Sequence, residues 1–279
     1  MKNGNDLFSK PKKVKNKNPN LKYIILSFSL FIVILSAFSV FLFMRSLDFD
    51  FNNIIDRTNT EEPSDTPTND VQTYSVSELS GKSVYLLMLT DDSSNADFGF
   101  IITADFDSKE MSVASFDANQ KLSDGKTYGN IYGTEFISGL KSRLNADFNV
   151  SIDKYIICTA SQFKRIIASL GGVTVNVAED VNYKSSEFNV SLDKGTQKLS
   201  DEYAYKYLAI SETHEKSRIM CDMLASALTP ENSEKSDDLF KIFVNNCKTD
   251  ISVIDYSNSL EKLKIYSNAE DRFYPSVKG

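Results

Sequence analysis

Asp91 and Asp92 directly follow an apolar run, Ser83–Thr90, and Asp97 stands five residues beyond Asp92. Carboxylates at the end of a central strand of an α/β sheet lie where such sheets bind ligands. Two of them in one short loop can hold Mg2+ together with the oxygens of a bound phosphate. Asp92 and Asp97 are therefore the candidate metal ligands, provided phosphate binding is kept; otherwise no cofactor is expected. The plainer reading of DDSSNAD, which its composition favours, is a solvated turn. Other chemistries lack their parts. His214 is the only histidine, so a histidine-based triad or zinc site is hard to build. Gly171-Gly172 has neither the lysine nor the following helix of a phosphate loop and reads as a helix stop. Cys158, Cys221 and Cys247 have no metal spacing. They are expected as buried thiols, with a Cys221–Cys247 bridge left open.

The elements that must position these groups alternate. SVYLLMLT (83–90) is apolar throughout, as a strand buried on both faces should be. FGFIITADFD (98–107) and MSVASF (111–116) predict a hairpin, and 154–160 and 173–178 predict further strands. Helices are expected after Thr134, carrying Phe136, Ile137, Leu140 and Leu144, and after Ser161 and Ser200. Phe163, Ile166, Ile167 and Leu170 fall on one helical face and read as core. A later helix carries Met220, Met223, Leu224 and Leu228 and ends before Pro230. Strands alternating with helices indicate an α/β layered domain.

Tyr23–Met44 holds 22 residues without charge or proline. A bilayer core needs about 20 such residues in a helix. The run is too long for a signal peptide and no small-residue cleavage site follows it. Residues 1–22 carry seven lysines and one aspartate, a net +6. The remaining 24 basic and 37 acidic side chains give −13, within a chain total of −7. The lysine excess places the N-terminus in the cytoplasm and everything after Met44 outside the plasma membrane. The expected organisation is a basic tail (1–22), one transmembrane helix (23–44), an extracellular linker (45–80) and a folded domain (81–279). An acidic ectodomain is a poor nucleic-acid partner.

Segment order and spacing then carry a resemblance. IDKYIICTASQFKRIIASLGGVTVNV (152–177) and KGTQKLSDEYAYKY (194–207) follow LLMLTDD and NADFGFIITADFDSKEMSVASFDAN. From about residue 83 to 265 the chain resembles the LytR-CpsA-Psr family of cell-envelope glycopolymer ligases of Gram-positive bacteria. The resemblance implies a three-layer α/β/α domain with a mixed central sheet. It implies phosphotransfer of a glycopolymer from a polyprenyl-pyrophosphate carrier to peptidoglycan, with aspartates on Mg2+, arginines on the pyrophosphate and the lipid tail in an apolar pocket. Carried over residue by residue, Asp97 and Arg218 would be catalytic, and Asp92 and Asp97 would bind the metal.

The chain departs from the family pattern at the cations. Asn95 stands where an arginine precedes the second aspartate. The arginine and aspartate of one motif are Ala118 and Asn119, both arginines of a second are Ala209 and Ser211, and the second arginine of a third is Cys221. Of six arginine positions only Arg218 remains. Removing one preorganised donor from an active site costs about 2.7–4 kcal/mol. The expectation is a weakened or non-catalytic relative that binds polyprenyl-(pyro)phosphate or wall polymer; the alternative is an active ligase. Lys121, Lys126, Lys206 and Lys216 are the candidate substitutes, although an ammonium does not reproduce a bidentate guanidinium.

Overall fold

The computed structural model describes residues 74–91, 93–186 and 188–278. The expected basic tail, the transmembrane helix, residues 45–73 of the linker and Asp92 lie outside the described residues. Among the described residues no helix is long and apolar enough to cross a membrane.

A short 3-10 turn, Val76–Glu78, leads in, with Ser75 as its cap. Strands β1 (Lys82–Thr90), β2 (Ala96–Asp105) and β3 (Glu110–Asp117) form an antiparallel meander, so the predicted 98–116 hairpin is present. Helix α1 (Tyr128–Phe148) crosses over to β4 (Lys154–Thr159), which pairs parallel with β1. Then come α2 (Ala160–Ser169), β5 (Val173–Val177), β6 (Val181–Lys184), β7 (Asn189–Leu192) and β8 (Gly195–Leu199). The chain ends with α3 (Asp201–Ile210), α4 (Thr213–Ala227), α5 (Pro230–Glu234), α6 (Ser236–Asn246), β9 (Lys248–Thr249), α7 (Val253–Asn268) and β10 (Pro275–Val277). The main sheet runs β10-β3-β2-β1-β4-β9 and mixes both senses of pairing; β5-β8 and β6-β7 are separate ribbons.

Strand alternation divides the core into two halves. Val84, Leu86 and Met88 of β1 meet Tyr128, Leu140 and Leu144 of α1 on one face. Leu87 and Leu89 meet Phe163 and Ile167 of α2, Leu208 of α3 and Ile219, Met220 and Met223 of α4 on the other. Helices therefore cover both faces of a mixed sheet, which is the expected three-layer α/β/α architecture. The α2 stripe is core as expected, in degrees: Phe163 and Ile167 are buried, while Ile166 and Leu170 are half-buried.

Two helix starts differ from expectation. α1 begins about two turns earlier, capped by Thr127 in a reciprocal capping box with Asn130. Thr134 lies inside it and donates to the Asn130 carbonyl at 2.8 Å. Phe136 sits at a kink with φ 57° and is 70% exposed, so it is not a core residue. α2 is capped by Thr159 through a box with Gln162, not by Ser161. The Gly171-Gly172 stop is as expected. Gly172 has φ +92°, and a Cβ there would lie 2.6 Å from the Leu199 carbonyl oxygen.

Candidate functional site

The sheet register gathers one row of polar groups. Thr90 at the carboxyl end of β1 pairs with Thr159 at the carboxyl end of β4. On the other side Thr90 pairs with Ala96, and Phe98 pairs with Asp117 at the end of β3. Asp91 and Asp97 thus flank the carboxyl end of the central strand, with Asp117 beside them.

Asp91 is committed to its own loop. Its carboxylate accepts from the amides of Ser93 (2.9 Å) and Asn95 (2.8 Å) and from Asn95 Nδ2 (2.9 Å). These bonds, the Asn95 side chain foremost, hold its pKa below the usual value. Asn95 therefore fastens the loop. The turn reading suits Asp91.

Asp97 is different. It is exposed at the rim, yet crowding raises its pKa: partial burial is the largest cause, Lys216 opposes it, and Asp117 and Asp91 add to it. Lys216 is held at this corner from α4. Its ammonium donates to the Ser211 carbonyl and lies 5.0 Å from the centroid of the Phe98 ring. Burial lowers its pKa while Asp97 and Asp117 draw it up. The position is set one residue later. Ser217 Oγ, buried, accepts from the Ser115 amide at 2.9 Å and bonds Ser115 Oγ at 2.8 Å, while Ser115 Oγ also donates to the Thr213 carbonyl. This junction docks α4 on β3 and places Lys216 over Phe98.

The other candidate lysines are engaged or elsewhere. Lys126 pairs with Glu135 at 3.1 Å and Lys206 with Glu202 at 3.1 Å. Lys121 is exposed in the loop, bridged by its backbone to Thr127.

Arg218 lies two residues beyond Lys216 but binds other groups. Its Nε and Nη2 grip Glu215 at 2.9 and 2.5 Å, Nη1 reaches Asp222 at 3.1 Å, and Nη2 reaches the Tyr207 hydroxyl at 3.3 Å. Glu215 is the main reason its pKa is raised, and Arg218 is the main reason that of Glu215 is lowered. Asp222 also accepts from the Asn176 amide at 2.9 Å. One guanidinium between two carboxylates is a poor anion site. Ala118 is fully buried beneath α1, and its carbonyl accepts from the Gly129 amide at 2.8 Å. A guanidinium has no room there.

Among the described residues no three Asp, Glu, His or Cys side chains cluster as a metal site. Mg2+ needs only one or two carboxylates where phosphates supply further oxygens. The repulsion that Asp117 and Asp91 exert on Asp97 is of the kind a cation relieves, so the corner is compatible with that ion.

Because the folded-state pKa of Asp97 is raised, ionising it opposes folding. The penalty is absent below the ordinary value of about 3.9 and complete above the raised one. Asp97→Asn is expected to melt higher than wild type at pH 7, the gap closing on acidification below about pH 4. Thermal melts at the two pH values check this; a pH-independent gap would contradict the described surroundings of Asp97.

Fold and corner together define a class: a three-layer α/β/α domain with an acidic loop at the carboxyl ends of its parallel strands. The chain belongs to the LytR-CpsA-Psr family, whose model matches residues 55–271. No curated protein matches it. Among solved structures it is similar to a candidate transcription regulator of Eubacterium siraeum DSM 15702, with TM-score 0.61 and 19% identity over 79% of this chain and 88% of that one. B. subtilis TagV gives TM-score 0.58 and 19% identity over 72% of this chain and 85% of that one. TagT bound to LIIa-WTA gives TM-score 0.54 and 15% identity over 77% of this chain and 84% of that one. At such identities the likeness shows the fold.

Proposed function

We propose that this chain is a membrane-anchored, extracytoplasmic protein of cell-envelope biogenesis that binds a polyprenyl-(pyro)phosphate or wall glycopolymer and transfers it weakly or not at all. The observation that carries this reading is Arg218: the one arginine left in the family positions is neutralised by Glu215 and Asp222. A phosphoryl transfer depends on positioning and on neutralising developing charge, so cations matter more than any nucleophile. Membership in the family supports an envelope role, and the relative TagT was solved with LIIa-WTA.

A lipid tail has somewhere to go. A largely apolar cavity of about 510 Å3 lies on the α4 face of the sheet, among Tyr85, Ile102, Leu224, Leu228, Leu263 and Tyr266. Ile102 is five residues along β2 from Asp97, about 17 Å at roughly 3.3 Å per residue. In this reading Asp97 and Lys216 face the phosphate and the tail runs toward that cavity. Mg2+ bound with the phosphate would be held by Asp97 and would neutralise charge there.

Full-length protein in detergent, given a polyprenyl-pyrophosphate glycan and Mg2+, tests the reading. It is expected to bind the carrier and to release carrier phosphate at least about 100-fold more slowly than an arginine-bearing family member. Release at a comparable rate, abolished by Asp97→Ala, would overturn it. One observation favours that second reading, an active ligase: Lys216 places a desolvated ammonium beside Asp97.

A further inference from the structure

Cys158 and Cys247 are neighbours across the sheet. β4 pairs antiparallel with β9, with Ile156 opposite Thr249 and Ile157 opposite Lys248. One more step of that register sets Cys158 opposite Cys247. Cys158 is 1% exposed, and Cys247 is half-buried and packs on the same core cluster. Both line a cavity of about 450 Å3 that opens at the carboxyl ends of β1 and β4, with Thr90, Thr159, Gln162 and Asn246 around it. Cys221 sits apart on α4, buried, its thiol pushed up to about 11 by burial.

We propose that Cys158 and Cys247 form a modification site: a dithiol that closes to a disulfide by exchange with an external disulfide. Directly opposed residues of antiparallel strands have the Cα separation that a disulfide spans, about 4.5–5.5 Å. The pair is also asymmetric. Cys158 is almost fully buried, whereas Cys247 is half-buried and reaches the cavity. Cys247 is therefore the thiol that an external disulfide reaches first, and it attacks as its thiolate. Its Sγ attacks one sulfur of the oxidant's disulfide, forming a mixed disulfide and releasing the other sulfur as a thiolate, which takes up a proton. Cys158 then gives up its proton and attacks Cys247 Sγ; the mixed disulfide breaks and the second small thiol leaves. Two protein thiols are oxidised and one disulfide is reduced to two thiols.

The consequence is mechanical. The bridge ties the end of α6 to β4 of the central sheet, beside the loop that carries Asp91. Bridges that close long loops restrict the unfolded chain most. The inference stands independently of the transfer chemistry.

Full-length protein, purified under reducing conditions and then treated with oxidised glutathione in the native state, tests it. The expected product is lighter by two hydrogens, yields a peptide joining Cys158 to Cys247, and keeps one alkylatable thiol at Cys221. Reduction should lower the Tm by about 5–15 °C. Cys221→Ser should still form the bridge; Cys158→Ser should stop at the glutathione adduct on Cys247. Three alkylatable thiols after oxidation, a bridge that includes Cys221, or a wild-type product that stops at the glutathione adduct would each overturn the proposal.

Discussion

Lys216→Ala is expected to weaken binding of inorganic pyrophosphate, and of a polyprenyl phosphate in detergent, by about 100-fold or more. Among the described residues this ammonium is the cation set against Asp97, whereas Lys126 and Lys206 are held by carboxylates. It is half-buried between the Phe98 ring and the Ser211 carbonyl, so it meets an anion with little water between them. A desolvated charge contributes more than an exposed one because the local dielectric is low. Lys126→Ala, which removes an exposed ion pair, should leave binding within about twofold. Lys216→Arg should retain binding, since the charge remains. The pH profile gives a further test. Burial lowers the Lys216 pKa, so affinity should decline as pH rises toward that lowered value, ahead of ordinary lysine titration near 10.4. Calorimetric titration at several pH values measures both. Wild-type affinity in Lys216→Ala would remove Lys216 from the site and leave the corner without a described cation.

Much of the scaffold was legible because it rests on periodicity. The central strand, the β2–β3 hairpin, the Ser200 cap and the α4 stripe follow from alternation and spacing alone. The misplaced start of α1 has a local cause. Thr127 and Thr134 are both good caps, and the choice is made by the Asn130 side chain answering Thr127. α6, α7, β9 and β10 carried no expectation, since a two-residue strand has no period to read and α7 is polar on most sides. The fate of Arg218 was written in the sequence: Glu215 and Asp222 stand at i−3 and i+4, the spacings that pair charges on a helix. Lys216 differs. Only the docking of Ser217 on Ser115 singles it out among four candidate lysines. The Cys158–Cys247 contact depends on a strand register that links residues far apart in the chain, and periodicity carries no such information.

Gly99→Val is expected to destabilise the domain by about 3 kcal/mol or more, a large share of the roughly 5–15 kcal/mol that such domains possess. At about 2–4 °C per kcal/mol the Tm should fall by at least about 6 °C. The cause is a lack of space in the middle of the sheet. A Cβ on Gly99 would lie 2.5 Å from Phe116 Cζ and 2.8 Å from the Leu87 carbonyl oxygen. The ring could rotate away only by leaving Tyr128, against which it packs edge-on at 5.2 Å. The carbonyl belongs to the central strand and cannot yield at all. Gly133→Ala provides the contrast, because its Cβ would meet nothing within 4 Å and its place is helical. That change should be neutral or raise stability by up to about 1 kcal/mol. The strain at Gly99 also reaches the candidate site. Tyr128 opens α1, and the next residue's amide fixes Ala118, which adjoins Asp117. Displacing Phe116 therefore moves the carboxylate that faces Lys216 and Asp97. Any Gly99→Val protein that stays folded should bind pyrophosphate more weakly than Gly133→Ala, although residue 99 touches no ligand. Equal affinity in the two variants would mean that the corner is positioned without help from the α1 layer.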